Sequence, residues 1–340
     1  MSSRFEEFHA ELRSVAGDLL AKDRAVDWPL LVQAGWVGLE VPDEFGGAGA
    51  TFREASVVCG EMGRAASANA YLGSAVLAVG ALTELAPTSR RDQLLAGIAA
   101  GTVRAAGVIG PFALDGQRLT GKADFVPDAA DADVLLVTAT DSGGVPVLVE
   151  TTEATVTSQP VLDETRRLAT VNADRVATES VWPFSQPQRL LDRAAVAVAC
   201  DSLGVAEAML AASVSYARVR QQFGRPIGSF QAVKHACADM AVSISIVRQL
   251  VGDAADAVAG DRPDAGSAAS MAKSYACSTA VNVAGKAMQL HGGIGYTWES
   301  GVHVYLKRAA LNRSLFGSPA EHRKHLAQRY LANFQATGQE

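Results

Sequence analysis

The chain has 340 residues, 49% of them hydrophobic, 19% charged and 6% aromatic, and a formal net charge of −6. This is enough apolar material for the cores of roughly two or three domains. The mildly acidic balance argues against nucleic acid as the main partner.

Residues 1–100 read as helices. Phe5, Phe8, Leu12, Val15 and Leu19 fall at helical spacing. This opening segment is polar and lacks the apolar core of a signal peptide. A break follows at Val41-Pro42-Asp43-Glu44-Phe45-Gly46-Gly47-Ala48-Gly49, where glycines and a proline disfavour a helix interior. A second helix is predicted from near Phe52 through Glu61-Met62-Gly63-Arg64, a third over Tyr71–Leu85, and a fourth from Thr88 to near Gly101. Trp28, Trp36 and Phe45 read as core packing.

The middle changes character. Asp133–Ala139 and Val145–Glu150 are short β-rich runs, and Asp141-Ser142-Gly143-Gly144 between them reads as a hairpin turn. Val/Thr-rich pieces continue to Val181, so residues 101–185 are predicted to form an antiparallel β domain. Long helices then follow over Leu190–Arg220, Phe230–Ala259, Ala265–Leu290 and Glu299–Phe316. Ser318-Pro319-Ala320-Glu321 has the N-cap Ser, N1 Pro and capping-box Glu that open a last helix. Residues 186–340 are therefore predicted to form an antiparallel bundle. The overall class is α+β, with an N-terminal helical domain over 1–100. The apolar stretch Ala194–Cys200 is too short to span a bilayer. The four cysteines, Cys59, Cys200, Cys237 and Cys277, lie far apart without a C-x-x-C, so they show no metal motif and read as small hydrophobes of a reducing compartment. A cytoplasmic protein without membrane segments is expected.

Three strings carry a family resemblance. The first is Ala34-Gly35-Trp36-Val37-Gly38-Leu39 running into Val41-Pro42 and Gly46-Gly47-Ala48-Gly49, followed by Glu61-Met62-Gly63-Arg64. The second is Arg220-Gln221-Gln222-Phe223-Gly224-Arg225-Pro226-Ile227-Gly228-Ser229-Phe230-Gln231. The third is Gln289-Leu290-His291-Gly292-Gly293-Ile294-Gly295-Tyr296. Together, in this order, they resemble the acyl-CoA dehydrogenase family, whose architecture is N-terminal helices, a middle β domain and a C-terminal four-helix bundle. The resemblance implies an FAD-dependent oxidoreductase that desaturates an acyl-CoA thioester. Arg220, Phe223, Gln289, Gly292 and Gly293 would then reach the FAD of a neighbouring subunit. The chemistry agrees: a guanidinium fork suits a pyrophosphate, an aromatic suits an adenine, and glycines admit backbone N–H groups to a phosphate. The spacing puts Arg220 and Phe223 on one face of a helix end, with Gly224 as its C-cap.

The family's catalytic base is a glutamate at one of two positions. The first lies in a Y/F-E-G-T/S string; here it reads Leu315-Phe316-Gly317-Ser318, so Gly317 and Ser318 match and Phe316 replaces the glutamate. The second falls at Ala194, within Leu191-Asp192-Arg193-Ala194-Ala195. Neither Phe316 nor Ala194 can accept a proton, and Asp192 is the weak candidate nearby. Asp201 and Glu207 lie further along that helix, and Glu321 reads as a cap. The chain's own flavin face departs from the family pattern as well. Phe125-Val126-Pro127 stands where the family shows an aromatic, a β-branched residue and a hydroxyl. Val108-Ile109-Gly110-Pro111-Phe112 stands where it shows T-E-P.

These departures imply a glutamate-lacking subunit of the kind found in actinobacterial heteromeric acyl-CoA dehydrogenases acting on bulky CoA esters. The alternatives are a self-sufficient homomeric dehydrogenase using a displaced acid such as Asp192, a structural or acyl-CoA-binding subunit without flavin, and a flavin oxidase or monooxygenase of the same fold. Acyl-CoA and a homo- or hetero-oligomeric partner are the expected ligand and assembly, and the sequence names no electron acceptor.

Overall fold

The computed structural model describes residues 2–21 and 24–337, with side chains for residues 9–21 and 24–331. In chain order the helices α1 (Ser2–Leu20), α2 (Trp28–Gln33) and α3 (Phe52–Ala65) come first. A π-helical segment (Leu72–Ala78) runs into α4 (Val79–Thr83), and α5 (Ser89–Ala99) follows. The strands are β1 (Ala105–Asp115), β2 (Arg118–Pro127), β3 (Val134–Asp141), β4 (Pro146–Thr151), β5 (Thr155–Gln159), β6 (Leu168–Ala177) and β7 (Ser180–Pro183). Then come α6 (Pro187–Val219), a short hairpin of β8 (Gln221–Gln222) and β9 (Arg225–Pro226), α7 (Gln231–Ala259), α8 (Ala265–His291), α9 (Val302–Ser314) and α10 (Pro319–Thr337). Contacts group these elements into two compact units, one of Asp23–Val58 and Ala68–Ala194, the other of Met1–Lys22, Cys59–Ser67 and Ala195–Glu340.

The first unit is built on a seven-stranded sheet in the order β5-β6-β2-β1-β3-β4-β7. Its turns are chemically specified: the Asp141 carboxylate accepts the N–H groups of Gly143 and Val145, both at 2.8 Å, and closes the β3–β4 hairpin at the predicted place. The sheet is not wholly antiparallel, because β1 pairs with β3 in parallel. β1 and β2 form a hairpin, and β3 returns to the opposite side of β1, so two reversals leave β3 running with β1. Val108, Leu119, Val137, Val149 and Val171 form the fully buried centre of one face. The segment predicted as a simple helix over Tyr71–Leu85 is widened into a π-turn where it meets the sheet. There the Gly73 N–H donates to Asp128 Oδ2 at 2.7 Å, and a Cβ on Gly107 would lie 2.5 Å from the Leu77 Cβ. Asp27 caps α2 and Thr88 caps α5 through their side chains.

The second unit is the helical bundle. Val205, Ala206 and Met209 of α6, Met240 and Ile244 of α7, Ala280, Val283, Ala284 and Ala287 of α8, and Val302 and Ala309 of α9 share one core. The Phe5 and Phe8 side chains lie outside the described residues. In the rest of the α1 stripe Leu12 and Leu19 are half-buried, whereas Val15 is 52% exposed and its neighbour Ala16 is buried, together with Leu20. Small residues set the approach of α3 to α6. A Cβ on Gly63 would stand 1.9 Å from the Asp201 carbonyl oxygen, and one on Gly204 would stand 1.9 Å from that of Gly60. α6 is also much longer than its most apolar stretch; it is long and apolar enough to cross a membrane, at mean hydropathy 1.6, yet 72% of that window is buried inside the protein. Burial, rather than shortness, is what distinguishes it from a membrane span.

Buried charge locks the bundle. Arg308 of α9 forks onto Asp201 of α6, with Nε to Oδ1 at 3.0 Å and an Nη2 to Oδ2 contact of 2.6 Å, and its Nη1 donates to the Ser67 carbonyl at 3.0 Å. Asn312 Nδ2 donates to the same carboxylate at 2.6 Å. Gly204→Ala is expected to destabilise the protein by about 1–3 kcal/mol, because backbone faces backbone and cannot yield; an unchanged melting temperature would contradict the helix contact. Asp201→Ala leaves Arg308 buried without its counter-ion and is expected to cost about 3–5 kcal/mol, read from denaturant unfolding.

Candidate functional site

Two of the predicted segments come together at one end of the bundle. Tyr216, in the last turn of α6, stacks on His291, the last residue of α8, with ring centroids 4.5 Å apart and planes 22° from parallel. His291 Nδ1 donates to the Ala287 carbonyl at 2.7 Å, which fixes that ring. The stack joins the chain entering Arg220 to the chain leaving at Gly292.

α6 stops at Val219, so Arg220 and Phe223 do not share a helix face. The next residues form the β8–β9 hairpin, with Phe223 (φ 52°) and Gly224 (φ 75°) as its two central positions. Positive φ at both is the type I′ pattern that suits a two-residue hairpin, so Gly224 serves the turn rather than a helix C-cap. Phe223 is 91% exposed and touches Phe230 edge-on, at 6.1 Å between centroids. Arg225 lies over the Phe230 ring at 4.2 Å. Arg220 is exposed, and its guanidinium has no ion pair or hydrogen-bond partner among the described residues.

Across the stack, Gly292 ends α8 at φ 61° and ψ −142°, a conformation open essentially to glycine. A Cβ on Gly292 or Gly293 would meet nothing of this chain within 4 Å, so both backbones face open space. Gly295 is different: its Cβ would stand 2.8 Å from the Met288 carbonyl oxygen, and the packing itself requires glycine there. Gln289 is exposed and its Oε1 accepts from Lys286 Nζ at 3.2 Å, while its amide N–H groups have no partner among the described residues. A free guanidinium, open glycine backbone and a bare aromatic ring fit the phosphates and base of a dinucleotide such as FAD. Among the described residues no group of three or more His, Cys, Asp or Glu side chains is placed to hold a metal ion.

The turn between α9 and α10 holds Phe316, at the first position where the sequence resemblance expects the family's glutamate. Phe316 (φ 54°) and Gly317 (φ 95°) both adopt the left-handed region there. Two buried cationic or polar side chains hold this turn by its backbone. Lys273 Nζ donates to the Asn312 and Gly317 carbonyls, both at 2.9 Å, and His322 Nε2 donates to the Phe316 carbonyl at 3.0 Å. Burial pushes the Lys273 ammonium below the ordinary lysine range. Ser318 completes the predicted capping box: its N–H donates to Glu321 Oε2 at 2.6 Å, and its Oγ accepts the Glu321 N–H at 3.3 Å. These hydrogen bonds hold the Glu321 carboxyl below its ordinary value. The residue presented by this well-supported turn is Phe316.

The second position belongs to the sheet-containing unit. Ala194 is fully buried. Its neighbour Arg193 donates to the Val76 carbonyl at 2.7 Å, pairs with Glu40, and lies over the Phe52 ring at 4.4 Å. Burial raises the Glu40 carboxyl, and Arg193 opposes that rise. Asp192 is half-buried and accepts from Gln188 Nε2 at 3.0 Å, one helical turn away. The acids further along α6 are committed: Asp201 to Arg308 and Asn312, Glu207 to Arg64 and Arg248.

On the sheet, the strand register shifts between Val108 and Phe112, so Ile109, Gly110 and Pro111 leave the β1–β3 ladder. The buried Phe112 ring fills the space beside Gly110 and Gly121. Phe125 takes φ 59° in a bulge of β2, and its N–H donates to Gln159 Oε1 at 2.7 Å. Sequence reasoning passed over Lys273, His322, Arg308 and Asn312; the available signal was a lone charge, such as Lys273 or Asp201, inside an otherwise Ala- and Val-rich helix.

Comparisons with known proteins identify the family. Residues 5–102 match the family model for the acyl-CoA dehydrogenase N-terminal domain, and residues 184–331 match that for the C-terminal domain. Acyl-CoA dehydrogenase IpdE2 of Mycobacterium tuberculosis is 37% identical over 308 residues, covering 89% of this chain and 86% of that protein. The IpdE2 of Mycolicibacterium smegmatis is 34% identical over 88% of this chain and 86% of its own length. Among solved structures, a variant of the Tcur3481-Tcur3483 steroid ACAD superposes with a TM-score of 0.88 at 28% identity, covering 97% of this chain and 99% of that one. The ChsE4-ChsE5 complex from Mycobacterium tuberculosis shares the fold, with a TM-score of 0.85 at 24% identity over 95% of this chain and 97% of that one. The chain therefore belongs to the acyl-CoA dehydrogenase family, FAD-dependent oxidoreductases that act on the CH–CH bond of acyl-CoA thioesters.

Proposed function

We propose that this chain is one subunit of a heteromeric acyl-CoA dehydrogenase, and that a second family member supplies the catalytic glutamate. The observation that carries this reading is the side chain at the two base positions: Phe316, on a turn held by Lys273 and His322, and Ala194, fully buried. Neither can take a proton from the carbon beside a thioester. The bundle end keeps its groups for a dinucleotide. Arg220 would grip the pyrophosphate, Phe223 would lie against the adenine, and Gln289 with the Gly292 and Gly293 backbone would bind the ribose and phosphates. Gly317 and Ser318 would line the same cofactor at the α9–α10 turn. FAD, when bound, supplies the hydride acceptor of the desaturation.

The substrate is proposed to be the CoA thioester of a bulky, ring-bearing acid, in keeping with the steroid enzyme among the structural relatives. The domain boundaries proposed for the chain are 1–100 for the N-terminal helical domain, 101–185 for the middle β domain and 186–340 for the C-terminal bundle. A cytoplasmic site of action is proposed with them.

Arg220→Ala is expected to weaken FAD retention in the assembled complex about 10–100-fold, the loss of one charge-assisted contact. Flavin absorbance per protomer after gel filtration reads it, and unchanged flavin content removes the assignment. Asp192→Asn is expected to leave turnover within about threefold, whereas a drop of about 10²–10⁴-fold would make Asp192 the base and the chain self-sufficient. The reading without flavin fails on the first of these experiments if the co-expressed complex is yellow and the Arg220 variant bleaches it.

A further inference from the structure

The sheet-containing unit holds a cavity of about 260 Å³ that none of the family's cofactor or base positions lines. It lies where the entry to α2 and its first turn (Val26–Pro29), the start of the π-helical segment and the start of β1 meet. At ~30 Å³ per water the space corresponds to about nine water molecules, room for a small organic molecule.

Two of its walls carry unspent polar groups. Ser74 is 3% exposed, lines the cavity, and its Oγ has no hydrogen-bond partner among the described residues. A buried hydroxyl in that condition costs about 1–3 kcal/mol unless something fills the place. Arg104 is half-buried with its Cζ 5.7 Å from the centre of the Trp28 ring. Its backbone N–H is tied to Asp133 Oδ2 at 2.8 Å, but its guanidinium has no ion pair or hydrogen bond among the described residues.

The acids around the cavity are already engaged. Asp27 caps α2 by accepting the Leu30 N–H at 3.1 Å, Asp128 accepts the Gly73 N–H at 2.7 Å, and Asp131 pairs with Arg167. The Trp28 Nε1–H is likewise committed, to the Gly101 carbonyl at 2.9 Å, so the indole offers its apolar ring. What is left is one guanidinium fork, one hydroxyl donor and an aromatic wall. We infer that this cavity binds a small carboxylate with an apolar body, the carboxylate on Arg104 and Ser74 and the body against Trp28.

The chemistry has two sources, a free organic acid or the ω-carboxyl end of an acyl thioester, and the test separates them. The full-length chain is titrated with benzoate, with benzamide as its neutral counterpart, and with an ω-carboxyacyl thioester against the plain acyl thioester of equal length. Thermal shift and calorimetry read binding. Benzoate raising the melting temperature while benzamide does not identifies a free acid; a preference confined to the ω-carboxyacyl thioester identifies an acyl end. No preference for the carboxylate in either pair overturns the inference. Arg104→Gln is expected to weaken carboxylate binding about 10–100-fold. Ser74→Ala is expected to weaken it several-fold while leaving the unliganded melting temperature equal or higher, since it removes an unsatisfied hydroxyl. Full binding in Arg104→Gln, or a Ser74→Ala protein that binds unchanged, also overturns it.

Discussion

The bundle depends on one carboxylate. Asp201 sits on α6, at the point where the Gly63 and Gly204 contacts bring α3 against that helix, and it receives both arms of Arg308 and the amide of Asn312. Arg308 carries the tie on to the Ser67 carbonyl at the end of the α3 segment. Asn312 carries it the other way, because its own carbonyl accepts from Lys273. The buried guanidinium is thus paired with a buried anion, while the Lys273 amine is held by the backbone carbonyls of Asn312 and Gly317. The arrangement fixes where α9 ends and hence where the α9–α10 turn stands.

The form of that turn does not depend on the side chain at its tip. The Phe316 and Gly317 carbonyls are held by His322 and Lys273, and the capping box of Ser318 and Glu321 starts α10. None of these contacts uses the side chain at position 316. The same backbone contacts would hold the turn around another side chain at 316, so the chemistry of that position is free to change independently of the fold.

Much of this was legible from residues alone. The capping box, the Asp141–Gly144 hairpin, the long bundle helices and the Thr88 cap each rest on local chemistry that tertiary packing did not override. The misses have physical causes. In α1 Ala16 rather than Val15 is buried because both are apolar and only packing selects between them. Gly224 suits a helix end and a type I′ turn equally, so the local sequence favours a helix for Arg220 and Phe223, and only the pairing of β8 with β9 decides otherwise. The π-turn at Leu72–Ala78 follows from contact with Asp128, more than fifty residues away, which periodicity does not register. The buried partners of Asp201 escaped because single charges in apolar helices reveal that a partner exists but not which one.

The hairpin tip also bears on how the protein behaves before it is assembled. Phe223 is a bulky aromatic held at φ 52° and 91% bare, a conformation that costs of order 1–3 kcal/mol for a residue other than glycine. Tyr296 and Trp298, each 73% exposed, are further large aromatics with little cover in the single chain. Such a chain is prone to self-association at high concentration, so synthesis alongside whatever covers those rings matters to its solubility as much as to its activity.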